Sequence, residues 1–216
     1  FMKLKITLYS VCLLMLLAAC QQDGPTPEPS VGSRTVLVYM IAQNSLAPLA
    51  SADIEEMKEG MRQVDATSGN LLVYIDDYSA PRLIRLGKDK KGKVVEETIE
   101  NYPEQNSADA NVMKKVISTA FNQYKAEKYG MVFWSHGEGW IPSPAKTRWL
   151  GQDGNNYMDI ADLHAALQVA PDLDFLFFDA CFMEAVEVAY ALRDCGSYLI
   201  SSPTEIPGPG APYPVS

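Results

Sequence analysis

Two side chains of this 216-residue sequence could together perform nucleophilic catalysis: the thiol of Cys181 and the imidazole of His136. His136 directly follows the apolar run YGMVFWS (129–135), and Cys181 follows the apolar run DFLFFD (174–179) after one further residue. A thiol becomes a strong nucleophile near neutral pH when an imidazole accepts its proton or holds its thiolate. The pair therefore predicts thiol chemistry, provided that the fold brings the two runs together.

Each of these residues also has an ordinary structural interpretation. A Cys after a strand is often a small buried hydrophobe, and a lone His is often a hydrogen-bonded structural residue. The second histidine, His164, lies in a short amphipathic segment and is interpreted as a surface or packing residue. Gly137 and Gly139 follow His136 closely and favour the functional interpretation. Glycine lets backbone N–H groups approach a substrate closely, as an oxyanion site requires.

The elements that must position these residues alternate between strands and helices. The predicted strands are 35–42, 70–76, 129–135, 174–179 and 197–201. The predicted helices are 51–64 with Ser51 as N-cap, 107–125, 159–169 and 183–193, and an exposed hairpin over 82–100 turns at Gly92. A long loop is predicted from Gly137 past Gly154. This alternation predicts an α/β fold with a parallel sheet covered by helices, in which catalytic groups gather at the carboxyl ends of the strands.

The amino terminus predicts export. Lys3 and Lys5 precede an apolar run over 6–17, and the run closes with Leu-Ala-Ala-Cys at 17–20. A basic start, a short apolar stretch and small residues before a cleavage point are typical of a secretory signal peptide. The closing residues resemble the bacterial lipobox, which implies lipidation of Cys20; an ordinary cleaved signal with a free Cys is the alternative.

This interpretation predicts three parts of the chain: a lipoprotein signal peptide over 1–20, a flexible Pro/Gly/Ser-rich linker over 21–33 and a folded domain over 34–216. The mature protein is expected to be exported and lipid-anchored to the bacterial cell envelope through Cys20, facing the periplasm or the cell surface.

Charge and cysteine content restrict the partners. The net charge of −9 argues against a nucleic-acid partner, since such proteins usually carry a basic stripe, and it suits basic peptide substrates. Four cysteines do not make a disulfide scaffold. Cys181 and Cys195 stand at opposite ends of one predicted helical segment, so a bridge between them is not expected.

Two segments carry a specific resemblance. WSHGEGW (134–140) and FDAC (178–181) resemble the paired signature of the clostripain family (peptidase C11, clan CD), which are cysteine peptidases with a caspase-like fold. The resemblance extends from about residue 34 onward. It implies a caspase-like three-layer αβα sandwich with a mainly parallel sheet over 34–216, cut short at its carboxyl terminus.

The resemblance also implies roles for individual residues. His136 is then the general base, Cys181 is the nucleophile, and the backbone N–H groups of Gly137 and Cys181 hold the oxyanion. Asp179 and Glu205 are implied to bind a substrate with Arg or Lys before the cleaved bond. The sequence departs from the family pattern at one position after the fifth predicted strand. Many relatives carry an acidic residue between two glycines there, and this sequence has Pro209.

Family members are often zymogens that cut themselves between the catalytic His and Cys. Lys146 and Arg148 lie in that stretch, among turn-forming residues, and cleavage after one of them is predicted; an uncut surface loop is the alternative. No cofactor is predicted. Calcium enters only through the resemblance, since no EF-hand-like run of carboxylates is present and only Asp76, Asp77 and Asp153 offer oxygens for a weak site.

Two other functions stay open at the level of sequence. One is a catalytically silent caspase-fold surface lipoprotein that binds peptides or glycans, favoured by Pro209 and the short carboxyl terminus. The other is a flavodoxin-like nucleotide module, since parallel sheets serve many functions. The stretch QNSLAPLA (43–50) opposes the second, because it has no glycine to form a phosphate loop.

Overall fold

The computed structural model describes residues 33–65, 68–140 and 148–213, which form a central sheet with helices on both faces. The elements in chain order are β1 (Arg34–Ile41), α1 (Ala47–Gln63), β2 (Gly69–Asp76), β3 (Arg82–Lys88), β4 (Val94–Asn101), α2 (Ala110–Gln123), β5 (Lys128–Trp134), β6 (Trp149–Asp153), β7 (Asn156–Asp159), α3 (Ile160–Leu167), β8 (Leu173–Asp179), α4 (Val186–Ala191) and β9 (Tyr198–Ile200).

The sheet has seven strands in the order β4-β3-β2-β1-β5-β8-β9. Strands β2, β1, β5, β8 and β9 run parallel, and the β3–β4 hairpin continues the sheet antiparallel at one edge. This confirms the predicted αβα sandwich with a mainly parallel sheet. The register pairs Trp134 with Asp179, so the last residues of β5 and β8 lie side by side.

The continuous apolar runs are explained by burial of the sheet on both faces. In β1, Leu37 and Tyr39 point into the core that α2, α3 and α4 share, while Val38 and Met40 point into the core beneath α1. All four side chains are buried. Because successive strand residues face opposite sides, a strand between two helical layers needs apolar residues at every position.

Three helix boundaries differ from the sequence predictions. The Ser51 N-cap is wrong: α1 begins at Ala47, with Pro48 in its first turn, where the fixed φ of proline suits a helix start. Helix α2 begins at Ala110 because the Asp109 carboxylate accepts the N–H groups of Asn111 and Val112. Helix α4 is shorter than its predicted span of 183–193.

The predicted loop after Gly137 is partly wrong, because it contains the β6–β7 hairpin. Trp149, Leu150 and Met158 of this hairpin are buried, and Leu150 forms a bridge with Gly137. The hairpin therefore packs directly beside the histidine loop. The predicted turn of the β3–β4 hairpin at Gly92 is confirmed; its φ of 77° is in the region that favours glycine.

Several predictions fall on residues outside the described ranges. These are the signal peptide with Cys20, all but the last residue of the 21–33 linker, and Lys146. Within the described ranges, none of the helices combines the length and the apolar character that a membrane-spanning helix needs.

Candidate active site

His136 and Cys181 line one cleft at the carboxyl edge of the sheet. His136 follows β5 and Cys181 follows β8, and the two strands are parallel neighbours. The cleft has a volume of about 120 Å³, and Asp179, Ile206 and Gly210 also line it. The sheet thus brings together the two side chains that the sequence analysis singled out, because the carboxyl ends of neighbouring parallel strands lie at the same edge.

His136 is half-buried and held on two sides. Its Nε2 lies 2.8 Å from Oγ of Ser45, and its backbone carbonyl accepts the N–H of Gly151 at 2.9 Å. Burial lowers the pKa of His136 below its ordinary value of 6.5. The imidazole is therefore neutral near pH 7, which is the form that can accept a proton.

Cys181 is half-buried and is a free thiol. Its Sγ accepts the backbone N–H of Ile206 at 3.3 Å, and the 206 carbonyl lies 3.9 Å from the same sulfur. The sulfur is thus contacted by both backbone polar groups of Ile206. The segment after β9 therefore supports the nucleophile, and this contact could not be anticipated from spacing along the chain.

The loops that carry the two residues touch backbone to backbone, and this contact requires two glycines. A Cβ on Gly139, whose φ is 51°, would lie 2.0 Å from the carbonyl oxygen of Phe182. A Cβ on Gly137 would lie 2.9 Å from the carbonyl oxygen of Cys181. Both distances are too short for a side chain, so these positions need glycine for close approach.

The backbone N–H of Gly137 is free of the neighbouring hairpin. The bridge to Leu150 is formed by bonds from Gly151 to His136 and from Glu138 to Trp149, so Gly137 itself makes no hydrogen bond across the bridge. In an antiparallel pair of this kind, the N–H of the bridging residue points away from its partner strand. Gly137 is buried and is not among the residues that line the cleft, so its role as an oxyanion donor stays a prediction.

Asp179 supplies the carboxylate of the cleft. It is 5% exposed, and its Oδ2 accepts the N–H of Ala211 at 3.0 Å and the hydroxyl of Tyr213 at 2.8 Å. Burial raises the pKa of Asp179, and the two donors partly offset that rise. Gly210 packs against the carboxylate, since a Cβ there would lie 2.7 Å from Oδ2.

Two other predicted site residues lie apart from the cleft lining. Glu205 is exposed and is not among the residues that line the cleft. Arg148 is exposed, and its guanidinium carbon lies 4.3 Å from the ring centre of Trp140.

Sequence reasoning missed three groups around the site. Ser45 contacts His136, Ile206 contacts Cys181, and Asp53 accepts the indole N–H of Trp134 at 2.6 Å. Burial, with a smaller contribution from the charge of Asp179, raises the pKa of Asp53 to about 6, although the Trp134 hydrogen bond acts in the opposite direction. Asp53 did carry a signal in the sequence, since it precedes Met57 and Met61 at the four-residue spacing of the apolar face of α1.

A second His–Cys pair lies elsewhere in the molecule. Nε2 of His164 and Sγ of Cys195 lie within 4.8 Å of each other. Ser197, two residues after Cys195, donates its N–H to the carbonyl of Leu173, the first residue of β8. The pair therefore lies at the amino edge of the strands. Burial and the neighbouring Asp194 raise the pKa of Cys195 to about 11, which disfavours the thiolate. The pair lacks the features of a nucleophile and base.

The three aspartates named as possible oxygen donors, Asp76, Asp77 and Asp153, have different surroundings in the structure. Asp76 is buried, and burial followed by the charge of Asp153 raises its pKa to about 7. Neither of its oxygens makes a hydrogen bond to the described residues. Asp153 is already occupied by the N–H and hydroxyl of Ser107, and Asp77 by the N–H of Ser79. Calcium takes six to eight oxygen ligands, so these three side chains would need further donors to hold it, and a calcium site stays an expectation from the resemblance.

Comparison with known proteins identifies the class. The model of the clostripain family of C11 peptidases matches residues 38–216, and the chain therefore belongs to this family, as the sequence resemblance predicted. Clostripain from Hathewaya histolytica is 28% identical over 214 residues, which cover 83% of this chain and 40% of clostripain.

Two solved structures are similar over most of the chain. A secreted C11 cysteine protease from Bacteroides thetaiotaomicron, in complex with an irreversible peptide inhibitor, has a TM-score of 0.80 at 57% identity and covers 85% of this chain and 52% of its own. An inactive zymogen C11 protease from Parabacteroides distasonis has a TM-score of 0.75 at 39% identity, with 86% and 53% covered. The chain thus spans about half the length of the relatives it matches.

Proposed function

We propose that this chain carries the catalytic site of a cysteine endopeptidase that hydrolyses peptide bonds after Arg or Lys, with Cys181 as nucleophile and His136 as base. The observation that carries the proposal is the shared cleft, in which a thiol with an N–H donor, a neutral imidazole and a buried carboxylate line one space. Membership of a cysteine peptidase family supports the same reaction.

The proposed reaction has two stages. His136 accepts the proton of Cys181, and the sulfur attacks the carbonyl carbon of the scissile bond. The N–H groups of Gly137 and Cys181 hold the oxyanion, His136 returns the proton to the leaving amine, and an acyl-enzyme results. Water activated by His136 then hydrolyses the thioester and regenerates the thiol.

Asp179 is proposed to bind the Arg or Lys side chain of the substrate. A buried carboxylate whose pKa is raised by burial gains most from a cationic partner, because the pair compensates for the lost hydration of both. Asp53 adds negative potential behind it. Glu205 is proposed to assist from outside the cleft, on the same segment as the Ile206 N–H.

Self-activation is proposed to occur by cleavage after Lys146 or Arg148. The carbonyl of Arg148 accepts the N–H of Ile160 at 3.1 Å, and its φ of 71° is strained for a residue with a side chain. Cutting after Arg148 therefore requires this end of the hairpin to detach, and release of the strain would favour that. A relative at 39% identity is an inactive zymogen, which supports a precursor state here.

Intact-mass analysis of the leaderless protein tests the proposal. The expected result is cleavage after residue 146 or 148 in the wild type and in Cys195→Ala, and no cleavage in Cys181→Ala. Lys146→Ala and Arg148→Ala then assign the cut. Cleavage that persists in Cys181→Ala would exclude this nucleophile. Absence of cleavage in all variants, together with no labelling of Cys181 by an Arg-containing thiol-reactive peptide, would overturn the peptidase.

The protein is further proposed to be exported and lipid-anchored through Cys20, with peptide substrates outside the cytoplasm. The Leu-Ala-Ala-Cys sequence supports this, and one relative is a secreted protease. Incorporation of labelled palmitate into the wild type, and its loss in Cys20→Ala, would be expected. Equal labelling of both proteins would contradict the anchor.

A further inference from the structure

Four polar side chains converge where the end of α3 meets the segment before β9. His164 and Gln168 lie one helical turn apart, and Asp194 and Cys195 approach them from the turn that follows α4. The cluster lies at the amino edge of the strands, away from the cleft that holds Cys181. The proposed peptidase reaction uses none of these side chains.

Four of the six separations between their polar atoms are close to the edges of a tetrahedron around a metal ion, and the imidazole and the thiol lie within 4.8 Å of each other. Nε2 of His164 lies 3.0 Å from Oδ1 of Asp194, and Sγ of Cys195 lies 3.7 Å from the same oxygen. The amide nitrogen of Gln168 lies 3.4 Å from Nε2 of His164 and 3.7 Å from Sγ of Cys195. Zinc bonds to nitrogen, oxygen and sulfur of roughly 2.0–2.3 Å give edges of about 3.3–3.8 Å.

The chemistry of the donors selects the ion. A thiolate and an imidazole favour zinc over calcium or magnesium, which prefer oxygen ligands. A carboxylate completes three ligands. The Gln168 amide can present its oxygen by a flip of its terminal group, which gives up the 3.4 Å hydrogen bond from its nitrogen to the His164 carbonyl in exchange for the metal bond. Cys195 is 9% exposed, whereas the side chains of His164 and Asp194 are 34% and 57% exposed, so an ion has an open approach.

We propose that His164, Asp194 and Cys195, with the Gln168 amide as fourth donor, bind one Zn²⁺ ion per chain. The ion would link the carboxyl end of α3 to the segment leading into β9. This site is separate from the cleft, and the segment after β9 carries the Ile206 N–H that contacts Cys181. Binding displaces the thiol proton, so affinity rises with pH.

Metal titration of the Cys181→Ala protein tests the site without interference from the cleft thiol. Added Co²⁺ is expected to give one tetrahedral spectrum per chain with a thiolate-to-cobalt charge-transfer band, and added Zn²⁺ is expected to displace it. Cys195→Ser should remove the charge-transfer band, and His164→Gln should weaken Zn²⁺ binding at least tenfold. Glu187→Gln, which removes an exposed carboxylate from α4, is the matched control and should bind as its parent does.

Thermal unfolding gives a second readout. Zn²⁺ is expected to raise the melting temperature of the Cys181→Ala and Glu187→Gln proteins and to leave that of Cys195→Ser unchanged, because only a folded site gains from the ion. Circular dichroism establishes that each variant is folded. Lack of a charge-transfer band in the Cys181→Ala protein, or its persistence in Cys195→Ser, would show a hydrogen-bonded cluster only and would overturn the proposal.

Discussion

The hydroxyl of Tyr213 donates a 2.8 Å hydrogen bond to Oδ2 of Asp179, the carboxylate that lines the cleft beside Cys181. Together with the Ala211 N–H, it occupies the oxygen that the proposed substrate cation would approach. The segment at 210–213 would therefore compete with the proposed substrate cation for the Asp179 carboxylate.

Tyr213→Phe should lower KM for an Arg peptide at least tenfold with little change in kcat. The substitution removes the competing donor and keeps the ring, and a hydrogen bond to a charged group contributes roughly 1.5–3 kcal/mol. Initial rates over a range of substrate concentrations measure the effect. A higher KM would show that the hydroxyl helps to hold Asp179 in place for the substrate.

Asp179→Asn should reduce kcat/KM for an Arg peptide by about 10²–10³-fold, because removing one partner of a buried ion pair costs roughly 3–5 kcal/mol. The same peptide with citrulline in place of Arg should lose far less, since citrulline has no charge. Asp53→Asn is the comparison variant: its carboxylate is nearby but is occupied by Trp134, so the loss should be much smaller than in Asp179→Asn. Equal losses on both peptides would place Asp179 outside substrate recognition.

The acid limb of the kcat/KM profile should have its midpoint below pH 6.5. Burial disfavours the imidazolium form of His136, so the neutral base persists to lower pH than for an exposed histidine. A midpoint above 6.5 would contradict the assignment of His136 as a neutral base.

Ser45→Ala removes the hydroxyl that lies 2.8 Å from Nε2 of His136, and kcat should fall about fivefold, the equivalent of one hydrogen bond of about 1 kcal/mol.

Gly139→Ala should reduce kcat at least tenfold and lower the melting temperature, because its Cβ would strike the carbonyl oxygen of Phe182, next to the nucleophile. Gly154→Ala is a close control: its φ is 55° against 51° at Gly139, but nothing lies within 4 Å of its Cβ. The control therefore pays only the backbone strain of about 1–2 kcal/mol. Similar activity of the two variants would argue against the packing of the two catalytic loops.

Asp76→Asn should stabilise the protein at pH 8 and leave it almost unchanged at pH 4. The folded protein raises the pKa of Asp76 from 3.8 to about 7, so between these values the folded state binds more protons than the unfolded state. The free energy of unfolding of the wild type therefore falls as pH rises through this window, by a few kcal/mol at most. Urea unfolding at pH 4, 6 and 8 measures this difference. A variant that is less stable at pH 8 would show that the charged carboxylate has a favourable partner.

The prediction of the fold and of the pair followed from local pattern. Each central strand is an apolar run because both of its faces are covered, and His136 and Cys181 follow directly after two such runs. The β6–β7 hairpin was missed because its glycines interrupt the alternation that marks a strand. Its pairing is sustained by burial of Trp149 and Leu150 against the rest of the fold.

The sequence by itself therefore determined the family, the parallel sheet and the identity of the candidate nucleophile and base, because these depend on residue types and periods within short segments. Only the tertiary structure decided which groups surround them: Ser45 on the imidazole, the Ile206 N–H on the sulfur and Tyr213 on Asp179. These partners lie 25 to 91 positions away along the chain. Contacts at such separations arise from how the layers pack, and no local pattern records them.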